Sequence, residues 1–403
     1  MIYDLDLKHC RFKRGQEVTP EEIRDEITRL RRLQTEQNNK NLAYKKLLNS
    51  IYGVLGYEKF VLYQRDVAES ISTQSQSVLK STRWFFNQYF QKRFPKLQGM
   101  GFTECRPITD DVIIYGDTDS LFINYEDILR HIDYDGDLVD FVLNLHEKDL
   151  DGEIRRFLDA YVEKFNGFRD RISGKRCFNL AFEQILGRLL MVAKKRYVKE
   201  ILYEDGSRFD RFHNIQSKGL ELGKSSTPAF VREKLKKVTH EILQMERLSI
   251  SDIRRSVLEV KEEFCRVPIE NISQFQRVNK VEKYILECSH NKIRYTKGTA
   301  NYLKGVAAYN NLLSMSPPNV RQKYPIVTSG SKIQWFNAKP SPKAPDGVFA
   351  YIASNVPHEL LQQIEPNYDM QFDLMFLSPL NRMLTAMKLP EIPVSMVVFD
   401  GLF

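Results

Sequence analysis

The feature that most constrains the fold is a short stretch in which two apolar runs flank a tight acidic turn. The runs are Val112–Tyr115 and Leu121–Ile123, and the five residues between them read Gly-Asp-Thr-Asp-Ser. Apolar segments joined by turn-forming residues predict an antiparallel β-hairpin. Because side chains alternate along an extended strand, Asp117 and Asp119 are expected to point the same way at the hairpin tip.

Two paired carboxylates indicate a metal site, with one alternative. Like charges at this spacing repel each other unless a hard cation lies between or beside them, and Mg²⁺ prefers carboxylate oxygens. Alternatively, Gly, Asp, Thr and Ser are simply good turn formers. The plain turn is the better explanation of the five residues alone, and the apolar strands on both sides make the metal site an equally good one.

Helical patterns precede the hairpin. Thr19, Pro20 and Glu22 supply the hydroxyl, proline and glutamate that are typical of a helix start. The spacing of apolar residues predicts one helix after Thr19, a second over about Asn38–Leu55 and a third over about Ser70–Phe90.

The second predicted helix carries a chemically distinctive face. At about 100° per residue, Lys45, Asn49, Tyr52 and Gly56 fall within a narrow arc. A cation, an amide and a ring on one face suit contact with a triphosphate and a base. A solvated polar face with a chance tyrosine is the alternative, which Gly53 and Gly56 weaken because glycine costs helix stability. The buried stripe is expected to be the opposite face: Leu47, Leu48, Ile51, Val54 and Leu55.

A third motif is basic. On a strand, Lys195, Tyr197 and Lys199 share one face, whereas Lys194 and Arg196 share the other. Basic residues interleaved with an aromatic ring suit contact with a nucleic-acid backbone. A charged edge strand that protects a sheet is an equally good explanation.

The rest of the chain gives coarser predictions. Leu189–Tyr203 and Arg208–Gln216 form a second hairpin candidate around the Asp205-Gly206 turn, and the pattern from Ser225 onward is mainly helical. The tail is short and apolar after Pro393.

Composition narrows the class of protein. A chain of 403 residues is expected to contain two or three domains. The net charge of +8 makes an anionic partner plausible, most commonly nucleic acid. Five scattered cysteines argue against a zinc module or a disulfide framework and fit a reducing compartment. No apolar run is long enough to span a bilayer, and no membrane partner is expected.

In this order and at this spacing, the motifs resemble the carboxy-terminal half of family B DNA polymerases, most closely the T-even bacteriophage type. Lys45–Gly53 resembles the fingers-helix motif of that family. Tyr115–Ser120 resembles its metal-binding palm hairpin, and Lys194–Tyr197 resembles the motif that holds the DNA duplex. Lys218–Glu221 together with Ser225–Pro228 is similar to the phage-type palm-to-thumb junction. Phe399–Phe403 is similar to the short aromatic tail with which these polymerases bind a sliding clamp.

The resemblance implies an α+β fold with right-hand polymerase architecture: an antiparallel palm sheet, a helical fingers segment and a mainly helical thumb. The implied division is partial fingers over 1–58, palm over 59–222, thumb over 223–391 and a clamp-binding tail over 392–403.

It also implies DNA-directed nucleotidyl transfer with two Mg²⁺ ions. Asp119 would bind both ions, and Asp117 would shape and charge the same hairpin as a further metal ligand. Lys45 would contact the incoming deoxynucleoside triphosphate and stabilise charge developing on it, which makes it a catalytic residue. Asn49 and Tyr52 would border the nascent base pair.

Further implied roles concern macromolecular partners. Glu183 falls where the family has an acidic palm strand. The residues expected to hold primer-template DNA are Lys194, Lys195, Arg196, Tyr197 and Lys218. The residues expected to bind the clamp are Phe399, Leu402 and Phe403.

The chain also departs from the family pattern. It contains neither the DxxSLYP-type strand that supplies another metal-binding aspartate nor the exonuclease motifs, and the other fingers helix is missing. The chain is therefore expected to be inactive alone and to need a separate amino-terminal polymerase chain, in the cytoplasm of an infected bacterial host. A cloned or proteolytic fragment of a longer polymerase is the alternative to a polymerase encoded as two polypeptides. A non-catalytic DNA- and clamp-binding scaffold is the alternative. A small-molecule phosphotransferase is disfavoured because no glycine-rich phosphate loop is present.

Overall fold

The structure is a computed structural model that describes residues 10–12, 16–97, 99–102, 104–164, 179–245, 247, 249–289 and 292–394. The chain forms two compact units. The first comprises Met1–Ile185 and Tyr203–Arg208, and the second comprises Leu186–Leu202 and Phe209–Phe403. Helices and antiparallel sheets occur together, which confirms the α+β class.

The first unit begins with a long helix, α1 (Pro20–Leu55). Its start follows the expected capping box: the Thr19 side chain accepts from the Glu22 amide, and the Glu22 carboxylate accepts from the Thr19 amide at 2.8 Å. The sequence predicted a break before Asn38, and this prediction was wrong. The polar residues 34–37 contain neither proline nor glycine, so the helix continues through them.

The helix α2 (Arg65–Gln88) follows, in place of the predicted Ser70–Phe90. Next comes the hairpin of β1 (Ile113–Asp117) and β2 (Ser120–Ile123), which confirms the predicted strand-turn-strand pattern. Three helices complete this part of the unit: α3 (Tyr125–Arg130), α4 (Leu138–Leu145) and α5 (Asp151–Lys164). The core of this unit is aromatic, with Phe86, Phe90, Phe94 and Phe141 almost fully buried.

The next sheet is antiparallel and contains four strands: β3 (Gln184–Ala193), β4 (Arg196–Glu204), β5 (Ser207–Arg208) and β6 (Ile215–Lys218). β4 pairs with β3, β5 and β6. The predicted Asp-Gly turn is confirmed, since Asp205 and Gly206 adopt positive φ angles of 62° and 80° between β4 and β5. However, the predicted strand Leu189–Tyr203 is two strands, because the chain turns at Lys194 and Lys195.

The remainder of the second unit was predicted to be mainly helical, and helices do form most of its regular structure. α6 (Ala229–Gln244) and α7 (Ile250–Arg266) come first, and α7 begins at the Ser249 cap, two residues before the predicted Ser251. The helical pattern read from the sequence after Ser225 did not predict the three-stranded antiparallel sheet and the β-hairpin that this region also contains. Its short strands alternate with helices: β7 (Gln274–Arg277), α8 (Val281–Tyr284), β8 (Ile285–Ser289), β9 (Lys292–Tyr295), α9 (Asn301–Met315), α10 (Pro318–Lys323), β10 (Lys332–Asn337), β11 (Val348–Ile352), α11 (His358–Leu361), α12 (Tyr368–Phe372) and α13 (Ser378–Ala386).

The core of this region centres on α9, which packs against β11. Tyr309, Phe336, Phe349, Phe372 and Phe376 are fully buried there. Among the described residues, no helix combines the length and apolar character needed to cross a bilayer.

Candidate active site and nucleic-acid surface

The acidic hairpin tip differs in one respect from the prediction. Asp117 closes β1 opposite Ser120, whereas Asp119 lies in the turn itself. Thr118 adopts a φ of 54°, so the alternation of a strand does not extend through Asp119. The Asp119 amide donates to the Asp117 carbonyl at 2.6 Å, and the Thr118 hydroxyl donates to the Asp117 carboxylate at 3.1 Å. A tight turn, rather than strand alternation, therefore connects the two carboxylate-bearing residues.

Residues that the sequence reasoning missed anchor the base of this hairpin. The Asp111 carboxylate accepts from the Ile113 amide at 3.0 Å and from the Asn87 amide group at 2.9 Å, and it pairs with Arg83. Asn87 in turn accepts from the Val112 amide at 3.0 Å. Burial alone would raise the pKa of Asp111, but these hydrogen bonds outweigh it and hold the pKa below its usual range. The hairpin is thus fastened to α2 through side chains distant in sequence.

The donor chemistry of the tip fits Mg²⁺ in part. Asp119 is exposed and Asp117 is half-buried, so both offer carboxylate oxygens near the surface, the ligand type that Mg²⁺ prefers. Within the described part of the chain, no group of three or more acidic, histidine or cysteine side chains is close enough to hold a metal ion. The described residues therefore offer two carboxylates, and a Mg²⁺ ion bound there would need further ligands.

The face of α1 predicted to meet a nucleotide is accessible. Lys45 and Asn49 are exposed, and Tyr52 is 44% exposed. The Tyr52 hydroxyl forms a 2.6 Å hydrogen bond with the hydroxyl of Ser72 on α2. This bond fixes the ring at the point where the two helices meet.

A groove of about 320 Å³ lies beside Tyr52. It is bordered by Gly56 from the end of α1 and by Arg65, Glu69 and Ser72 from α2. The Arg65 guanidinium donates to Glu69 at 2.8 Å, so the polar wall of the groove is internally paired. The arrangement places an aromatic ring next to an open, partly polar cleft.

The predicted burial of the opposite face of α1 was wrong. Leu47, Leu48 and Ile51 are 60%, 66% and 52% exposed, and only Val54 and Leu55 are half-buried. Periodicity identifies an apolar face but does not identify what covers it, and no part of the described chain covers this one. Nothing in the described chain packs closely on Gly53 either, since a Cβ placed there would meet no atom within 4 Å among the described residues.

The basic motif forms a turn rather than a strand face, which corrects the assignment of Lys194 and Lys195 to alternating strand faces. Both lysines are exposed in the turn between β3 and β4, where Lys195 has a φ of 62°. Arg196 begins β4 and lies 3.6 Å from the Glu221 carboxylate. The two lysines therefore project at the end of the sheet.

Tyr197 and Lys218 lie directly beside this turn. Tyr197 is 6% exposed, and the Lys218 ammonium lies 5.8 Å from its ring centroid on the neighbouring strand β6. Gly219 follows with a φ of 69°, and a Cβ there would overlap the Lys195 carbonyl oxygen. Lys194, Lys195 and Lys218 are thus grouped by backbone packing, with the buried Tyr197 ring beneath Lys218.

A buried acid on β4 is another feature that the sequence reasoning missed. Glu200 is fully buried and accepts from the Arg211 guanidinium at 2.9 Å and from the Phe212 amide at 2.7 Å. A Cβ at Gly187 on β3 would lie 2.5 Å from the second Glu200 oxygen, so glycine is required there. Glu200 therefore connects β4 to the segment before β6 through Arg211 and Phe212.

The predicted residues fall into two groups. Asp117, Asp119, Lys45, Asn49 and Tyr52 belong to the first unit, whereas the basic group belongs to the second. Glu183 is exposed just before β3. The proposed clamp-binding residues lie outside the described residues: Phe399, Leu402 and Phe403.

Comparison with known proteins accounts for this combination of motifs. The DNA-directed DNA polymerase of Enterobacteria phage T4 is 25% identical over 61% of this chain and 27% of its own length. The corresponding enzyme of Escherichia phage RB69 is 25% identical over 57% of the chain and 25% of its own length. The DNA polymerase catalytic subunit of human herpesvirus 6B is 25% identical over 75% of the chain and 27% of its own length.

The chain spans about a quarter of the length of these relatives. The sequence model of DNA polymerase family B matches residues 21–134 and 163–387, which include the Lys45–Tyr52 segment, the acidic hairpin and the basic turn. The match covers most of the chain. The chain therefore belongs to DNA polymerase family B.

Proposed function

We propose that this chain is the carboxy-terminal catalytic part of a DNA-directed DNA polymerase. The observation that carries the proposal is the occurrence of three features in one family B match: the Asp117–Asp119 hairpin tip, the exposed Lys45–Tyr52 face and the Lys194–Lys195 turn. Each feature alone has a plain structural explanation. Together they supply what primer extension needs, namely metal ligands, a nucleotide contact and a grip on DNA.

The metal-binding role belongs to the hairpin tip. Asp119, exposed in the turn, and Asp117, held by the Thr118 hydroxyl, would bind Mg²⁺ together with ligands from another polypeptide. Bound Mg²⁺ ions would neutralise charge on the attacking and leaving oxygens of an in-line displacement. The hydrogen bonds of Asp111 keep the strand that ends in Asp117 in place.

The nucleotide-binding role belongs to α1. The Lys45 ammonium would approach the triphosphate and stabilise charge that develops during transfer. Asn49 and Tyr52 would border the nascent base pair, with Tyr52 oriented by its bond to Ser72. The groove beside Tyr52 gives this ring an open side.

The DNA-holding role belongs to the turn between β3 and β4. Lys194, Lys195 and Arg196, supported by Lys218 and Tyr197, would contact phosphates of the primer-template and contribute a salt-dependent, sequence-independent grip. The right-hand division is part of the proposal: fingers over 1–58, palm over 59–222, thumb over 223–391 and a clamp-binding tail over 392–403.

The proposal also includes a separate amino-terminal chain with the exonuclease and the first palm aspartate. One fact supports it: the described residues supply only a pair of carboxylates, so further metal ligands would come from other sequence. The working location would be replicating DNA in an infected bacterial cell, where the tail would tether the enzyme to a sliding clamp.

The test is primer extension with Mg²⁺ and all four deoxynucleotides. The purified chain should bind labelled primer-template but add no nucleotide, because metal ligands are missing. Adding a co-expressed polypeptide that carries the exonuclease and first palm segments should restore synthesis, and Asp119→Ala in this chain should abolish it.

The outcomes separate the alternatives. Synthesis by the chain alone would remove the need for a second polypeptide. Failure to bind primer-template would contradict the proposed function itself. Complex formation and DNA binding without any synthesis would instead favour the non-catalytic scaffold.

A further inference from the structure

The carboxylate of Glu221 lies among three cations. Its Oε1 atom is 2.9 Å from the Arg382 guanidinium, 3.3 Å from the Lys224 ammonium and 3.6 Å from the Arg196 guanidinium. All four residues belong to the second compact unit, and together they are the Glu221 cluster. Since one carboxylate cannot neutralise three cations, the members of the cluster carry an excess of positive charge around a single oxygen.

Glu221 is held ionised at the centre of the cluster. Burial would raise the pKa of Glu221, but hydrogen bonding to its own backbone and the charges of Arg382 and Lys224 outweigh burial and hold the pKa below its usual range. The Glu221 side chain is 20% exposed, whereas those of Arg196, Lys224 and Arg382 are 33%, 45% and 43% exposed. The cations are therefore more accessible to an external anion than the carboxylate that they surround.

The cluster adjoins the turn between β3 and β4. Arg196 follows Lys195 directly, and the chain just before Glu221 packs on the turn, since a Cβ at Gly219 would overlap the Lys195 carbonyl oxygen. Arg382 lies on α13, so the cluster joins the turn to a helix that is distant in sequence. The positive charge of the turn thus continues into the cluster.

Arg196 is incompletely bonded in this arrangement. Its separation of 3.6 Å from Glu221 is that of an ion pair and is too long for a hydrogen bond. Its Nε atom is buried and has no hydrogen-bond partner among the described residues. A buried donor without a partner costs free energy, and a guanidinium can bond phosphate oxygens with two donors at once. A phosphate beside Arg196 would therefore bond it better than Glu221 does.

We propose that Glu221 is an intramolecular competitor for the phosphate backbone of DNA. In the free protein, its carboxylate neutralises part of the charge of Arg196, Lys224 and Arg382. When primer-template binds, a backbone phosphate takes the place of the carboxylate beside these cations, and Glu221 gives up its ion pairs. The carboxylate thereby weakens binding of every DNA sequence alike, because it competes with a phosphate and not with a base. The contact of Arg196 with DNA rests on the proposed function, and the competition by Glu221 goes beyond it.

The test measures the affinity of the full chain for fluorescent primer-template at several salt concentrations. Glu221→Gln should strengthen binding by about threefold to fivefold, since partly exposed ion pairs no longer have to be broken. It should also steepen the dependence of log affinity on log salt by about one unit, because the carboxylate no longer offsets one phosphate contact.

Two controls separate local competition from other effects. Glu263→Gln removes the same charge from an ion pair with Lys234 in the same unit, and it should change the affinity by less than about twofold. Glu221→Asp keeps the negative charge and should also bind within about twofold of the parent chain. Circular dichroism checks that each variant is folded.

Removing a cation should have the opposite effect. Arg382→Gln in the Glu221→Gln background should abolish the gain in affinity and lower the salt slope by about one unit. Arg382→Gln alone should weaken binding and lower the slope, so it decides the matter if Glu221→Gln does not fold. An unchanged slope in this single variant would overturn the proposal.

Methylphosphonate linkages, each of which replaces one charged phosphate by a neutral group, locate the contact. At one or two linkages, the substitution should cost Glu221→Gln more affinity than it costs the parent chain. The extra cost should vanish when Arg382 is also changed to glutamine. Equal costs at every linkage for all three proteins would contradict a phosphate at the cluster.

The remaining outcomes are decisive. Glu221→Gln binding no better than Glu263→Gln would overturn the proposal, and weaker binding than the parent would assign Glu221 to holding Arg196 in place. An equal gain in Glu221→Asp would show that packing rather than charge is responsible. Failure of the parent chain to bind primer-template contradicts the proposed function itself, whereas normal binding without a response to Glu221 contradicts only the competition.

Discussion

Thr118 carries backbone strain at the centre of the candidate metal site. Its φ of 54° lies in the left-handed region, which a β-branched residue rarely adopts. Such a conformation costs on the order of 1–3 kcal/mol and persists where surrounding structure imposes it. The strained residue lies between the two carboxylate-bearing residues, Asp117 and Asp119.

We expect Thr118→Gly to raise the free energy of unfolding by about 1 kcal/mol, since glycine adopts this φ freely but also gains freedom in the unfolded chain. Denaturant unfolding measures the change. Thr118→Ser, which keeps the hydroxyl donor to Asp117, serves as the control and should not stabilise to the same degree. An unchanged or lower stability of the glycine variant would show that the turn is unstrained.

Glu26, the buried acid of α1, should make the helix sensitive to acid. Hydrogen bonding from Arg29 lowers the pKa of Glu26 from its ordinary value of 4.5 to about 2, against the opposing effect of burial and with help from the Arg11 amide. A depressed pKa in the folded state contributes stability above the unfolded pKa. That contribution is lost as the pH falls from 4.5 towards 2.

We therefore expect Glu26→Gln to lower the thermal midpoint at neutral pH and to flatten its dependence between about pH 5 and about pH 2. Circular dichroism at several pH values measures both effects. Glu36→Gln removes an exposed carboxylate from the same helix and should alter the profile much less. If the thermal midpoints of the parent chain and of Glu26→Gln fell in parallel as the pH is lowered, the acid sensitivity could not be assigned to Glu26.

At the scale of single elements, the turn between β3 and β4 depends on its contact with Gly219. A Cβ at this position would overlap the Lys195 carbonyl oxygen, and the φ of 69° adds a conformational penalty. Gly206 is a matched control because it has a φ of 80° but no neighbour within 4 Å of a Cβ among the described residues. The two glycines therefore separate backbone strain from steric overlap.

We expect Gly206→Ala to cost about 1 kcal/mol from strain alone and Gly219→Ala to cost about 3 kcal/mol, because the alanine must also displace the lysine turn. Chemical denaturation measures the stabilities. Gly219→Ala should also weaken primer-template binding under conditions where it is still folded, whereas Gly206→Ala should not. Equal primer-template affinities of the two variants would show that DNA binding does not depend on the positions of Lys194 and Lys195.

Local rules predicted the elements that depend only on neighbouring residues. The Thr19–Glu22 capping box, the acidic hairpin and the Asp205-Gly206 turn follow from short sequence signals, and all three occur. The turn at Lys195 was missed because a lysine with a positive φ carries no such signal. The bond between Asn87 and Asp111 was missed because it joins residues that only the tertiary fold brings together.

At the scale of the whole molecule, sequence periodicity predicted the apolar face of α1 but not its exposure. The period of a helix states which side chains share a side, whereas burial depends on the other elements present. Leu48 and Ile51 are exposed because no described segment packs on them. The same holds at the hairpin tip, where the described residues bring no third acidic, histidine or cysteine side chain close enough to complete a metal-binding group.

The path of the chain also limits which recombinant proteins can fold. The boundary between the compact units is crossed within β3, within β4 and after β5, so neither unit is a continuous length of sequence. One proteolytic cut therefore releases neither unit whole. A recombination breakpoint inside residues 186–208 would give both units segments from two parents, and the segments would have to be compatible within β3 and β4. We expect viable chimaeras within this family to take residues 186–208 from a single parent.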